Sequence, residues 1–443
     1  MRDPAAPSDD NGPANPHAPN THAANQHAVN IPGLLRDIAI AYEKGNLGRT
    51  AQLLRHGEAM AAGLPYWPYY RGLLAFEVKL RDAGLAQCDA ARRACPADAF
   101  SELAPQLNTL ESALKSMPDP TPSPAPAYLL IKTWGYGFWS DIGHFVSALL
   151  LAELTGRIPV IHWGAGCRYT DAPDSDAFST FFAPVNDWGL VDMRPLGPDY
   201  YPEKWRGADL CADRFEQWFG LGGRRSGLYL LNRPEQVIVS DFYTQIFELT
   251  PWLARDHWLH GCNAHEVFAR LYRKYFKLRS DIQADIDAFA ARYIKGRPTL
   301  GVHVRNAEKA SESARFQDDS DQITVQVEQY MQQDETLRLF LLTDSAQAVE
   351  TYRARYGDRV FFTDSARAEG DVGVHVAGEG SRHQLGVEVI TDTYLAAACD
   401  AFIGLGTSNL PCMVSVLKDW PAGAIHLIGD NRLLQENTLL HDW

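Results

Sequence analysis

Beyond residue 126 the sequence settles into short, wholly apolar runs separated by helical stretches, and this alternation limits the fold more than any other feature. The first set comprises AYLLIKTW (127–134), RIPVIHW (157–163), GLYLLN (227–232) and QVIVS (236–240). The second comprises TLGVHVR (299–305), LRLFLLTD (337–344), RVFFTD (359–364), DAFIGLG (400–406) and GAIHLIG (423–429). A strand that is apolar along its whole length is buried on both faces, which is the situation of a parallel sheet covered by helices. Helical periodicity falls where such a fold needs it, from Phe145 to Thr155 and from Ala264 to Tyr293. The expected class is α/β, with two Rossmann-like, doubly wound domains at 127–292 and 293–443 facing each other across a cleft. Ligands of such folds bind beyond the carboxyl ends of the strands.

The N-terminal part reads differently. Residues 1–30 are biased to Ala, Asn, Pro and His, can bury almost nothing, and are expected to be a disordered tail. Its histidines at 17, 22 and 27, with His56 beyond it, are read as solvent-exposed rather than as metal ligands. From 31 to 116 apolar residues recur at helical spacing: Leu34, Leu35, Ile38 and Ala41, then Leu47, Ala51, Leu54 and Ala59 after Gly45-Asn46. The segment 65–96 resembles a tetratricopeptide repeat, with Gly72, Ala91 and Pro96 at its small-residue and closing-proline positions and Tyr70 and Leu74 as apolar contacts. Helix pairs of that kind bury their faces only by stacking. The module is therefore expected either to dock a protein partner or to serve as a structural cap. A linker at 117–126, with proline at half its positions, separates it from the α/β part.

Composition excludes several classes. Against 41 Lys and Arg stand 55 Asp and Glu, a net charge of −14 without any long basic block, so a nucleic-acid partner is not expected. The seven cysteines form no CxxC pair and are odd in number, which points to neither a disulfide framework nor a zinc module but to a reducing compartment. The first residues lack the apolar core of a secretory signal, and no apolar run reaches the roughly 18 residues of a membrane span. A cytoplasmic protein is expected, meeting the inner membrane at its periphery if its acceptor is lipid-linked.

Chemistry concentrates at the ends of the C-terminal strands. TLGVHVR ends in His303 and Arg305, followed by Asn306, Glu308, Lys309 and Glu312. An arginine there can grip a diphosphate with two parallel hydrogen bonds, and a neighbouring carboxylate can take a proton from a hydroxyl. LLTD places Thr343 and Asp344 at the next strand end. Asp392 lies in a helical stretch, and DAFIGLG runs into a hydroxyl-rich turn, Thr407-Ser408-Asn409, that opens a further helix and can present N–H groups to an anion. That turn is neither a P-loop nor GxGxxG. In the N-terminal domain TWGYGFWSDIGHF supplies Gly135, Gly137, Asp141 and His144, a glycine turn and a histidine able to approach an acceptor in the cleft. Asp174-Ser175-Asp176 is a DxD triplet, read with Asp318-Asp319-Ser320-Asp321 as solvated acidic loops rather than metal sites.

Taken together, GVHVRNAEKASESARF, LLTD and GVEVITDTYLAAACDAFIGLGTSN resemble the C-terminal half of α-1,6-fucosyltransferases of the N-glycan core and Nod-factor types. Those enzymes carry H-V-R-R-x-D-K, a T-D strand end, and an Asp sixteen residues before a Ser-Ser-Gln-like turn, the spacing of Asp392 and Ser408 here. LLIKTWGYGFWSDIGHFVSALLLAELTGRIPVIHW is similar to that family's strand, glycine turn, helix and strand. The resemblance implies a GT-B glycosyltransferase that inverts the anomeric carbon without a metal or other cofactor, using a nucleotide sugar, best GDP-fucose, as co-substrate and a glycan or protein as acceptor. By position it implies that Arg305 holds the donor's β-phosphate, oriented by His303, with Asn306, Thr343 and Asp344 beside it. Asp392 would read the guanine, and Thr407, Ser408 and Asn409 would meet the diphosphate. Glu308, Lys309 and Glu312, with Arg305, would carry the catalytic chemistry on the acceptor side.

The chain departs from the pattern in three places. The second arginine is Asn306, the motif Asp is Glu308, and the following acidic residue, Glu312, comes one position early. The lost cation leaves open a transferase of the same fold with another GDP- or UDP-sugar. The helical module leaves open a repeat-containing adaptor whose transferase half is inactive.

Overall fold

The computed structural model describes residues 30–95, 100–119, 125–132, 135–164, 166–171, 176–193, 199–205, 210–211, 227–241, 244–305, 316–368 and 381–429. Five helices open the chain: α1 (Ile31–Glu43), α2 (Leu47–Met60), α3 (Tyr66–Glu77), α4 (Arg81–Ala94) and α5 (Phe100–Lys115). Asn30 and Asn46 cap α1 and α2 through their side-chain oxygens, bonding Gly33 and Arg49 N–H. Small residues let these helices approach. A β-carbon on Gly57 would lie 2.7 Å from the Trp67 ring, and one on Gly72 would lie 3.0 Å from Leu110. Ala91 is fully buried, while Pro96 lies outside the described residues. The module is fastened to the α/β part by Tyr229 Oη donating to Gly45 C=O at 3.0 Å and Asn232 Nδ2 donating to Lys79 C=O at 3.1 Å.

Two all-parallel sheets follow. The first has the order β2-β1-β4-β3, built from β1 (Tyr128–Lys132), β2 (Ile158–His162), β3 (Tyr200–Tyr201) and β4 (Val237–Ser240). The second has the order β7-β6-β5-β8-β9, from β5 (Thr299–Val304), β6 (Arg338–Thr343), β7 (Val360–Phe361), β8 (Ala401–Leu405) and β9 (Ile425–Ile428). Starting in the middle and winding to both edges, the second sheet has its switch point between β5 and β8, where a doubly wound fold opens its ligand crevice. Strand alternation divides its core. Leu339 and Leu341 face one cluster with Leu300 and Val302, while Phe340 and Leu342 join a larger one. That larger core is continuous with the first domain, through α6 (Phe138–Thr155), and with α1–α3.

Two sequence expectations fail locally. GLYLLN is not a strand. Gly227–Leu230 forms a 3₁₀ turn whose first N–H donates to Glu248 Oε2 at 2.8 Å and whose Leu228 and Leu230 are buried. Without β-branched residues the run has little reason to extend, and a tight turn buries the same side chains. The helical stretch from 264 is two helices, α7 (Ala264–Tyr275) and α8 (Ser280–Tyr293). Between them the chain pairs with residues 181–183, with Ala183 N–H on Lys277 C=O at 2.8 Å and Arg279 N–H on Phe181 C=O at 3.0 Å. Those bonds replace helical ones and break the run. The remaining helices longer than a single turn are α9 (Phe316–Gln333), α10 (Ala346–Tyr356), α11 (Arg382–Ala398) and α12 (Asn409–Leu417). No helix among the described residues is long and apolar enough to cross a membrane.

Candidate active site

The carboxyl ends of β5, β6, β7 and β8 gather most of the polar residues read from the sequence. His303 is the fifth residue of β5, opposite Leu342 in register, and Val304 pairs with Thr343. Burial and the adjacent Arg305 charge push the His303 imidazole down to about 3, so the ring is neutral. Its Nδ1 is buried without a hydrogen-bond partner among the described residues. Arg305, half-buried, leaves the strand directly beyond it. Asn306, Glu308, Lys309 and Glu312 lie outside the described residues.

Thr343 is buried at the end of β6, and its hydroxyl accepts Ser345 N–H at 3.2 Å. Asp344 accepts Ala368 N–H on its backbone carbonyl at 2.8 Å, which draws the segment after β7 across the end of β6. That segment delivers hydroxyls to Asp392. Thr363 Oγ1 donates to Asp392 Oδ1 at 2.6 Å, and Ser365 Oγ lies 3.4 Å from Oδ2. Burial raises Asp392 to about 6, against the hydroxyls and the nearby Arg367, which favour the ionised form. Neither Thr363 nor Ser365 is distinguishable from a loop residue in the sequence; only the fold brings them to Asp392.

Ser408 occupies the N-cap of α12 with extended backbone (φ −108°, ψ 138°), yet its side chain makes no cap bond to its own helix. Its N–H is used by Leu405 C=O at 3.0 Å, and Gly406 N–H bonds Ile428 C=O at 2.7 Å, so the turn is pinned between β8 and β9. Gly404 has a packing reason: a β-carbon there would lie 2.9 Å from the Pro411 ring of α12. Thr407 is half-buried near Asp319, since a β-carbon on Gly429 would be 3.4 Å from Thr407 Cγ2 and 3.3 Å from Asp319 Oδ2. Asp319 therefore corrects the sequence reading. It is 3% exposed, in the first turn of α9 at the strand ends, rather than in a solvated loop. Asp176 is likewise no free acid, because its Oδ1 accepts Trp163 N–H at 2.9 Å and Phe178 N–H at 3.2 Å.

In the first domain Gly135 adopts φ +80°, which favours glycine, and a β-carbon on the exposed Gly137 would meet nothing within 4 Å. Asp141 shapes this loop from the first turn of α6, accepting Tyr136 N–H at 3.1 Å and the Trp163 indole N–H at 2.9 Å. Tyr169 Oη accepts Phe138 N–H at 2.6 Å. His144 is not placed to meet a ligand. It is fully buried, its Nδ1 faces Thr244 N–H at 3.4 Å, and burial lowers it to about 4 despite backbone hydrogen bonds at Lys132 and Ser240. It ties α6 to the ends of β1 and β4.

Helix α11 joins the two halves. Trp139, two residues beyond Gly137, donates its indole N–H to Thr393 Oγ1 at 2.9 Å, which ties the start of α6 to the residue after Asp392. Tyr272 and Tyr394 hydroxyls meet at 2.9 Å. At its other end Asp171 of the first domain caps α11, accepting Ser381 Oγ at 2.6 Å, Arg382 N–H at 2.7 Å and His383 N–H at 3.3 Å.

Two Rossmann-like domains, joined through a helix that carries a strand-end carboxylate, constitute the GT-B arrangement. The family model for nodulation protein Z (NodZ) matches residues 253–418, a span holding Arg305, Asp392 and Ser408. Nodulation protein Z of Sinorhizobium fredii is 25% identical over 281 residues, covering 60% of this chain and 83% of the relative. That of Bradyrhizobium diazoefficiens is 27% identical over 285 residues, covering 60% and 72%. A crystal structure of NodZ α-1,6-fucosyltransferase soaked with GDP-fucose aligns over 66% of this chain and 92% of its own, at 26% identity and a TM-score of 0.44. The chain is similar to the NodZ family, as its strand-end motifs implied.

Proposed function

We propose that the chain is an inverting, metal-independent glycosyltransferase that moves fucose from GDP-fucose to a hydroxyl of a glycan or protein. The observation that carries this reading is that Arg305 follows β5, the uncapped Ser408 turn follows β8 and Asp392 meets a hydroxyl just past β7, all on the carboxyl-end side of one parallel sheet and inside the span that matches NodZ. Its named relatives support the donor, since a NodZ protein is described as an α-1,6-fucosyltransferase and was soaked with GDP-fucose.

The residues divide the work by chemistry. An ionised Asp392 offers two acceptor oxygens to the N1–H and N2–H₂ edge of guanine, which uracil lacks. Breaking the glycosyl bond leaves negative charge on the diphosphate. Arg305, with the hydroxyls of Thr407 and Ser408 and the positive N-terminal end of α12, opposes that charge. His303, neutral and buried, orients Arg305 without adding a charge of its own. Thr343 and Asp344 border the donor, and Asn306, Lys309 and the carboxylates Glu308 and Glu312 serve the acceptor side, where one carboxylate takes the hydroxyl's proton. Gly137 leaves room for a sugar against the backbone.

The seven cysteines are all free, which supports a reducing, cytoplasmic setting, with any lipid-linked acceptor met at the membrane surface. The helical module is read as a docking unit for an acceptor protein or an assembly partner.

Calorimetry with GDP, GDP-fucose and UDP, with and without EDTA, tests the reading. Expected are EDTA-insensitive binding of GDP and loss of about 100-fold in affinity in Arg305→Ala, from a lost charge-assisted bidentate contact. A preference for UDP overturns the donor, and absence of any nucleotide binding overturns the enzyme.

A further inference from the structure

The loop that follows β7 has little of its own to hold it. Asp364 and Ala366 are exposed, and the loop's two working hydroxyls, Thr363 and Ser365, touch each other at 2.7 Å. Arg367 closes it. One terminal nitrogen donates to Thr363 C=O and the other to Ser365 C=O, each at 2.8 Å, so a single guanidinium grips the backbone of both residues that bond Asp392. The cation lies 4.5 Å from the Phe362 ring centroid, and Arg353 lies at the same distance from that ring. Ala366 N–H donates to Glu388 Oε2 at 3.1 Å, one helical turn before Asp392 on α11.

The groups facing Asp392 are few. From the loop come the Thr363 and Ser365 hydroxyls and the Arg367 cation, and from its own helix comes Glu388, whose charge opposes ionisation. Arg367 in turn feels Asp392, Asp364 and Glu388, and Arg353 as a like charge. Among the described residues Arg367 is thus the cation acting on this half-buried carboxylate, and it also fixes the hydroxyls that orient it.

We propose that Arg367 is a positioning residue for base selection. It folds the 363–367 loop so that Asp392 Oδ1 takes the Thr363 hydroxyl, itself bonded by Ser365, while both carboxylate oxygens keep lone pairs for the N1–H and N2–H₂ of a guanine, and it keeps that carboxylate ionised. This rests on the reading of Asp392 as the guanine-binding group. A planar fork suits the task because it reaches two carbonyls at once, whereas a lysine supplies only the charge.

The test is the pH dependence of GDP and IDP affinity for the full-length protein and its Arg367→Met and Arg367→Lys variants, by calorimetry, with unfolding scans to establish that each is folded. IDP lacks the N2 amino group and so reports on one Asp392 oxygen. The wild-type protein is expected to bind GDP about tenfold more tightly than IDP, with affinity falling below about pH 6 as Asp392 protonates. In Arg367→Met the fall is expected about one unit higher in pH, with the GDP-to-IDP ratio near one at neutral pH. Arg367→Lys is expected to restore the inflection but not the full ratio, a split that a loss of packing would not produce. A GDP-selective wild type whose inflection and ratio survive in Arg367→Met overturns this role alone. A wild type that does not favour GDP over UDP at any pH overturns the guanine reading and this inference with it.

Discussion

Phe181 of the first domain occupies the space that a side chain at Gly386 of the second would need: a β-carbon on Gly386 would lie 2.4 Å from Phe181 Cζ. The same ring stacks on His383, one turn earlier on α11, with centroids 5.0 Å apart and planes 13° from parallel. The glycine is thus required by an interdomain contact rather than by its own backbone. Asp171 fixes the same end of the helix, and Asp392 lies further along it, past its middle. The base-reading carboxylate proposed here therefore rides on a helix anchored in the other domain.

Gly386→Ala should destabilise the protein by about 1–3 kcal/mol, the usual cost of overpacking a site that cannot relax freely. Denaturant unfolding checks this, and Phe181→Leu added to Gly386→Ala should recover part of the loss. An unchanged midpoint in the single variant would mean that the two domains separate without resistance.

Buried histidines make the fold sensitive to acid. His144 at about 4 and His303 at about 3 are both depressed from the ordinary value near 6.5, so the native state holds them neutral while the unfolded chain binds their protons. Stability then rises with pH from those folded values up to about 6.5 and is lost on going down through the same window, by several kcal/mol in total. Thermal unfolding measured from pH 7.5 to 4 should show this fall. His303→Gln should flatten it, and equal slopes in the two proteins would count against the burial of a neutral ring.

Asp392 titrates with the opposite sign. Its folded value, about 6, lies above the unfolded one, so the native state binds the extra proton between about pH 4 and 6 and ionisation above that window costs stability. Asp392→Asn should raise the unfolding free energy at pH 7.5 by about 1–3 kcal/mol while weakening GDP by tenfold or more. Tighter GDP binding in this variant would exclude a carboxylate from the base site.

Much of this protein follows from its sequence alone. Apolar runs with no polar alternation are most readily strands covered on both faces, and all but GLYLLN are, so two parallel sheets follow from solvation, and the strand-end positions of His303, Arg305, Thr343 and Ser408 follow with them. The sixteen-residue step from Asp392 to Ser408 is local in the chain and was readable as a motif. What the sequence could not supply were choices between burials of similar worth. GLYLLN could hide its leucines as a strand or as a turn, and the bonds of residues 276–279 to residues 181–183 divided one helix in two. The burial of His144 and Asp319 and the convergence of Thr363, Ser365 and Arg367 on Asp392 also depend on segments far apart in the chain. Periodicity reports which side of an element faces away from water, but not which distant partner meets it there. Only the tertiary structure, by closing the loop after β7 over α11 and setting Phe181 against Gly386, decided that.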